Sequence, residues 1–311
     1  MKVYKFGGNI LKDKETRLYI YKKLQDEKEK IVLVVSAFKN TPYSSDSLAS
    51  LLKDCQDEML KEKILSLGEI ISSLIITNEL KNLHVNCALI YPEEIGITIS
   101  KSNSNLSIDE LDNSFILKKL MNHDIIVFPG FIAKNKNFET LTLNSGGSDL
   151  SAVLVAKMLN VEEITLYKDV IGVCKCDPHL LNNDELIKNI SYDRLLNFCR
   201  HGSKIIQLEA LKYAKENNIK IRIKHYALDN EGSLVFDKKG DSSIGLNYLK
   251  NHVYIDGYSL SDNIKNLLFK NEVEYDLITI INDSIDIKTS YNNEQEILNL
   301  VYKLIRRKSW K

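Results

Sequence analysis

Four short apolar stretches of this sequence end in glycine or in polar side chains. Lys5-Phe6-Gly7-Gly8-Asn9 closes the first, Ser36-Ala37 follows the second, Pro129-Gly130 the third and Lys168-Asp169 the fourth. Lysine beside glycine suits phosphate chemistry, because a glycine turn exposes backbone N–H donors and the ammonium adds a point charge. A second glycine cluster, Ser145-Gly146-Gly147-Ser148-Asp149, leads into a helical apolar pattern. A helix start there offers amide donors and the positive end of a dipole. Gly202-Ser203-Lys204 opens a further helical pattern. A lysine at that end is disfavoured by the dipole unless an anion sits there too. Glu69 stands in a segment, Ile64 to Ile76, that is apolar nearly all round. A buried carboxylate is costly unless a cation or donors meet it, and a ligand ammonium would serve. Singly, each feature has a plain explanation: a tight turn, an N-cap, a structural ion pair, a surface lysine. Their recurrence at four strand ends points to a site. There is neither a G-x-x-x-x-G-K-[ST] loop nor a G-x-G-x-x-G fingerprint, so a nucleotide site must be of another kind. Cys174-Lys175-Cys176 lacks zinc spacing and a second ligand pair, so no metal-ligating side chains are expected.

The elements that must position these residues follow from periodicity. Val3 to Phe6, Ile31 to Val35, Ile125 to Phe128 and Ile164 to Tyr167 are almost continuously apolar, as parallel strands covered on both faces should be. Further strands are expected near Val85 to Ile90, Ile219 to Ile223 and Leu234 to Phe236. Helical spacing marks Lys61 to Leu80, Asp149 to Leu159 and Lys204 to Glu216. This alternation predicts an α/β fold, a mostly parallel sheet layered between helices as an αβα sandwich. Ligands collect beyond the carboxyl ends of such strands. Past a Gly/Ser/Asp/Lys-rich stretch, Asp229 to Gly245, the remaining residues read as strand, helix, two hairpin strands turning at Asn282-Asp283, and helix. The expected domains are therefore 1–240 and 251–311.

Composition excludes other classes. The chain has 311 residues, with 42 Lys+Arg against 42 Asp+Glu, so no surplus cation stripe is available for nucleic acid. No apolar run reaches the about 18 residues of a transmembrane helix. The five cysteines are odd in number and irregularly spaced, which suits a reducing cytoplasm.

Taken together, the blocks resemble the aspartokinases of the amino-acid-kinase superfamily, especially the short ones of spore-forming bacteria. The resemblance runs from Met1 to about Phe236. It is carried by Lys5-Phe6-Gly7-Gly8, Val35-Ser36-Ala37, Pro42 to Leu48, Gly68-Glu69, Gly130-Phe131, Thr140 to Asp149, Lys168 to Val173 with Asp177-Pro178, and Gly202-Ser203-Lys204. It implies ATP- and Mg2+-dependent phosphorylation of the aspartate side chain to 4-phospho-L-aspartate, the entry to lysine, diaminopimelate, threonine and methionine synthesis. Under that resemblance Lys5 and Lys204 are the catalytic cations and Asp149 holds Lys5. Gly7, Gly8, Gly146, Gly147, Lys168, Asp169, Cys174, Asp177 and His179 border the nucleotide. Ser36, Ser45, Glu69, Phe131, Ser145 and Ser148 line the amino-acid pocket, with Glu69 accepting the ammonium. Residues 251–311 resemble a single truncated ACT-type module lacking its last strand. That implies a homodimer or other homo-oligomer, an exposed edge strand and weak or absent feedback inhibition.

The chain departs from the family pattern at several positions. Ser145 replaces the arginine that grips a substrate carboxylate. Asn9 and Ile10 replace the threonine and serine after the opening glycines. Lys168, Cys174 and His179 replace threonine, tyrosine and arginine. These changes leave two alternatives beside aspartate kinase: a catalytically weak nucleotide-binding paralogue with a regulatory or assembly role, or a kinase for a related amino acid.

Overall fold

The computed structural model describes residues 1–102, 105–176, 181, 185–239, 243–257, 261–281 and 284–308. The chain forms two compact units, Met1–Val170 with Glu209–Asn230, and Ile171–Leu208 with Glu231–Lys311. The segment 171–208, which the expected 1–240 division places in the large domain, thus clusters with the C-terminal residues.

The first unit begins with β1 (Lys2–Phe6), the short α1 (Gly8–Leu11), α2 (Lys14–Gln25), β2 (Ile31–Val35), α3 (Ser45–Ser50) and α4 (Glu58–Asn82). It continues with β3 (Cys87–Leu89), β4 (Ile97–Ser102), β5 (Asn105–Leu111), α5 (Ser114–Leu120), β6 (Ile125–Pro129), β7 (Ile132–Lys134), β8 (Thr140–Thr142), α6 (Gly147–Met158) and β9 (Glu163–Lys168). The chain leaves for β10 (Asn189–Ser191) and α7 (Tyr192–Arg200), then returns as α8 (Leu208–Glu216) and β11 (Lys220–His225). Strands β11, β9, β1, β2, β6 and β3 lie side by side in that order, all parallel. One face carries Tyr4, Phe6, Leu33, Val35 and Val127 under Ile20, Tyr21 and Leu24 of α2 and Ile76 and Leu80 of α4. The other face packs on α6, whose residues are buried except Lys157. The continuous apolar character of the central strands has this cause: both faces are covered. The expected strands and the helix cores are present, with boundaries shifted by a few residues.

Two elements differ from expectation. A second small sheet, β5-β4-β7-β8, was not legible in the sequence, because its strands mix Ser, Thr and Lys with isoleucine. The helix expected from Lys204 begins at Leu208, so Lys204 stands in the turn before it. The β-branched pair Ile205-Ile206 suits a first helical turn poorly.

In the second unit β10 pairs in parallel with β12 (Ser233–Phe236). There follow β13 (Gly245–Leu249), β14 (His252–Asp256), α9 (Ser261–Lys270), β15 (Leu277–Ile281), β16 (Ser284–Lys288) and α10 (Glu294–Lys308). The sheet is antiparallel, in the order β13-β14-β16-β15. Val253, Ile255, Ile285 and Ile287 face Ile264 and Leu268 of α9 and Ile297, Leu298 and Val301 of α10. The expected strand-helix-strand-strand-helix order is present. Among the described residues no strand follows α10, as expected for a module without its last strand; β13, which precedes it in the chain, pairs with the edge of β14 instead. The expected turn at Asn282-Asp283 lies outside the described residues.

Candidate active site

The centre of the first unit's chemistry is one carboxylate between two ammonium groups. Lys5 Nζ lies 2.6 Å from Asp149 Oδ1, and Lys168 Nζ lies 3.1 Å from Asp149 Oδ2. Lys5 and Asp149 are only 6% and 4% exposed. Lys5 pairs in register with Leu166 of β9, so Lys168, two residues on, points to the same sheet face. Asp149 enters that face from the first turn of α6, after Gly146 in the left-handed conformation (φ 79°). Burial pushes the Asp149 carboxyl up, but Lys168 and Lys5 outweigh it and hold the group well below the usual carboxylate range. Burial pushes Lys5 down; Asp149 pulls back and Lys168 adds to the lowering. Two amine groups thus converge on a single carboxylate largely out of water, a setting that favours an arriving anion.

Glu69 faces the same cluster from α4, with Lys5 contributing to its electrostatics. Its Oε1 accepts the Ala37 amide at 3.1 Å. Its Oε2 is buried and has no hydrogen-bond partner. Burial pushes this carboxyl up to about 7, against the pull of the Ala37 amide and of Lys5. An orphaned buried carboxylate oxygen is a vacancy for a donor or a cation.

Loops complete the setting. The Phe38 amide donates to Ser72 Oγ (3.0 Å) and the Lys39 amide to the Gly8 carbonyl (3.1 Å). The turn after β2, which carries Ser36, is therefore tied both to α4 and to the glycine turn after β1. A Cβ at Gly8 would stand 1.9 Å from the Ala37 carbonyl oxygen, so only glycine permits this approach. Gly7 caps α1 with its Cβ position 3.9 Å from Lys5 Nζ. Phe131, at φ 67°, donates its amide to Ser151 Oγ (2.9 Å). It also lies against Gly147, 3.1 Å from that residue's Cβ position. Ser148 is buried beside Gly130. Ser45 opens α3, which Ser44 caps.

The structure thus brings Lys5, Gly7, Gly8, Ser36, Glu69, Gly146, Gly147, Ser148, Asp149, Lys168 and Asp169 to the carboxyl ends of parallel strands or the turns beside them. Cys174 and Lys204 belong to the second unit. Asp177 and His179 lie outside the described residues. Four contacts escaped sequence reasoning. Lys168 shares Asp149 with Lys5; strand register would have shown it. Asn9 Nδ2 donates to Asp169, and Lys12 Nζ to Asn9 Oδ1 at 2.8 Å, which ties α1 to the end of β9. Asn144 Nδ2 donates to Glu209 Oε1 at 2.6 Å, anchoring the loop that carries Ser145. A separate cavity of about 610 Å3 opens beside Lys2, Tyr4, Thr165 and Lys224 and is lined by none of the candidate residues.

A parallel sheet covered by helices, with glycine turns and the Lys5–Asp149–Lys168 cluster at its carboxyl ends, defines a protein of the layered α/β class whose ligand site lies beyond those ends. The chain belongs to the amino acid kinase family, whose model matches residues 1–225. It is 32% identical to aspartokinase 1 of Bacillus subtilis (strain 168) over 241 residues, covering 75% of this chain and 60% of that protein. It is 26% identical to the aspartokinase of Geobacillus stearothermophilus over 268 residues, covering 84% of this chain and 63% of that one. The chain therefore spans about 60% of the length of these curated relatives. The crystal structure of E. coli aspartokinase III in complex with aspartate and ADP shares the fold. Its TM-score is 0.69 at 19% identity, over 98% of this chain and 83% of that one. No helix among the described residues is long and apolar enough to cross a membrane.

Proposed function

We propose that this chain transfers the terminal phosphoryl group of ATP to the side-chain carboxylate of L-aspartate, giving 4-phospho-L-aspartate. The observation that carries the reading is the buried Lys5–Asp149–Lys168 cluster beside the unpartnered Oε2 of Glu69. A carboxylate acceptor is ionised at neutral pH, so the reaction needs no general base. It needs positioning, and cations where charge develops. Lys5 supplies one, held by Asp149, and Lys204 a second. Gly7, Gly8, Gly146 and Gly147 offer amides to the phosphates, while Lys168, Asp169, Cys174, Asp177 and His179 border the nucleotide. Glu69 accepts the amino acid's ammonium group, and Ser36, Ser45, Phe131, Ser145 and Ser148 line its pocket. Among the described residues no three His, Cys, Asp or Glu side chains converge on a metal site. Both Asp149 oxygens already meet lysines. With both Asp149 oxygens so engaged, Mg2+ would be carried by the nucleotide phosphates rather than by side chains, and would supply charge neutralisation there.

Release of ADP in a coupled assay, with a panel of amino acids as acceptors, tests the reading. Turnover with aspartate is expected, and absence of turnover with every amino acid overturns it. Ser145 favours a second reading, a nucleotide-binding paralogue of low activity. In that case ATP raises the melting temperature and aspartate does not.

The reaction belongs to the reducing cytoplasm, in keeping with the cysteine usage, and the acting species is a homo-oligomer. Strand β15 is the outer strand of its sheet, with Leu277 and Ile280 half exposed; such an apolar edge invites a second copy. Lysine and threonine are expected to inhibit weakly or not at all.

A further inference from the structure

The second unit contains a hydrogen-bonded hub that the phosphoryl-transfer chemistry does not explain. Asp256 ends β14 and is fully buried. Its Oδ1 meets His201 Nδ1 at 2.7 Å and accepts Ser284 Oγ at 2.7 Å; its Oδ2 accepts Asn247 Nδ2 at 2.9 Å. The donors come from the end of α7, from β16 and from β13. A carboxylate only accepts, so the His201 nitrogen facing it carries the proton. The His201 ring also stacks on Tyr254, with centroids 4.1 Å apart and planes within 4°. The imidazole is held along its plane by the carboxylate and across it by the phenol ring. His252 also stacks with Tyr254, at 5.8 Å, and meets Asp286 at 2.8 Å.

His201 begins the turn that carries Lys204. The Ser203 amide donates to the Phe198 carbonyl at 2.9 Å, and Gly202 takes φ 111°. A Cβ at Gly202 would stand 2.3 Å from the Tyr248 carbonyl oxygen of β13. One at Gly245 would stand 2.3 to 2.6 Å from three atoms of the Phe198 ring. Backbone, ring packing and the hydrogen bond to a buried carboxylate all press this one turn onto β13 and β14. A packing histidine needs no buried acceptor. A buried carboxylate costs desolvation, and its presence here makes sense where the direction of its partner matters.

We propose that Asp256, acting through His201, is a positioning residue that fixes the Gly202-Ser203-Lys204 turn and with it the direction of Lys204. The inference rests on the reading of Lys204 as a phosphate-side cation. Misplacing such a group by about an ångström is enough to cost up to about a hundredfold in rate.

The test uses the full chain with two substitutions at His201, crossed with Lys204→Ala. His201→Phe keeps a flat ring on Tyr254 and loses the donor. His201→Asn keeps a donor close to the position of Nδ1 and loses the ring. We expect His201→Phe to lower kcat/KM for MgATP about tenfold, with KM for the amino acid changed less than about twofold. His201→Asn should stay within about threefold of the wild type, and His201→Phe should add nothing once Lys204 is alanine. Wild-type kinetics in a folded His201→Phe protein, or full additivity with Lys204→Ala, overturns the proposal. If no amino acid is turned over, the kinase reading fails by itself. The same cycle is then read as MgATP affinity by calorimetry, where non-additivity sustains the proposal and additivity overturns it. A wild-type protein that does not bind MgATP overturns both.

Discussion

The first unit holds two clusters of buried charge, one closed and one open. In the closed cluster Arg17 grips Glu79 through Nε (2.8 Å) and Nη2 (2.7 Å), while Nη1 donates to the Leu11 carbonyl at 2.7 Å. Tyr21 OH donates to Glu79 Oε2 at 2.8 Å, and the guanidinium lies 4.7 Å from the Phe38 ring centroid. Charges balance and every heavy polar atom of these side chains has a partner. In the open cluster two ammonium groups share Asp149, and Glu69 Oε2 has none. Burial alone does not separate a structural ion pair from a site. Completeness does: a closed set stabilises a fold, and an open one awaits a ligand.

This contrast breaks if the two clusters respond alike to substitution. The largest effect is expected at Lys5. Lys5→Met should lower kcat about a thousandfold, the scale of a lost transition-state contact, with a smaller loss of stability in urea unfolding than Arg17→Met because Lys168 still meets Asp149. A rate within tenfold of wild type would remove Lys5 from the chemistry. Arg17→Met should do the converse, costing about 3–5 kcal/mol of stability because Glu79, mostly shielded from water, loses its cation and keeps only the Tyr21 hydroxyl. Its turnover per folded molecule at low temperature should match the wild type. A stable Arg17→Met protein would show that the closed cluster does not hold the fold.

Glu69 sharpens the comparison through pH. Its carboxyl stands at about 7 in the folded chain against an ordinary 4.5. The folded state therefore binds the extra proton between these values. Stability from this group is present below the ordinary value and falls as pH rises through about 7, by a total on the order of 3 kcal/mol. Glu69→Gln should flatten that slope, and melting curves from pH 5 to pH 8 for both proteins check it; equal slopes would refute the assignment. An ammonium ligand restores the charged form, so amino-acid KM should fall as pH rises through about 7. Glu69→Gln should raise that KM at least about tenfold. The smallest effect is expected at Lys168, because Lys5 still holds Asp149 without it. Lys168→Thr should lower kcat about tenfold, and a loss as large as that of Lys5→Met would make the two lysines equal partners.

Much of this was legible in one dimension. Continuous apolar runs place β1, β2, β6 and β9 within one or two residues, since burial on both faces leaves an unmistakable composition. The glycine turns and Lys5 are readable for a related reason: glycine at a strand end and lysine beside it have few other uses together. The small β5-β4-β7-β8 sheet escapes, because short strands bearing Ser, Thr and Lys look like loops. The strand β13 escapes because an edge strand of mixed character gives no periodic signal.

Local chemistry along the chain settles which residues turn, which strands are central and which groups bear charge; these depend on neighbours a few residues away. Which charges face one another is settled only by the fold. The pairing of Lys5 and Lys168 on Asp149 follows from strand register and from the entry angle of α6. The covering of β14 by a strand that precedes it, and the meeting of His201 with Asp256 across 55 residues, follow from packing. Residues far apart in sequence are brought into contact by the burial of apolar faces, and that burial has no memory of sequence distance.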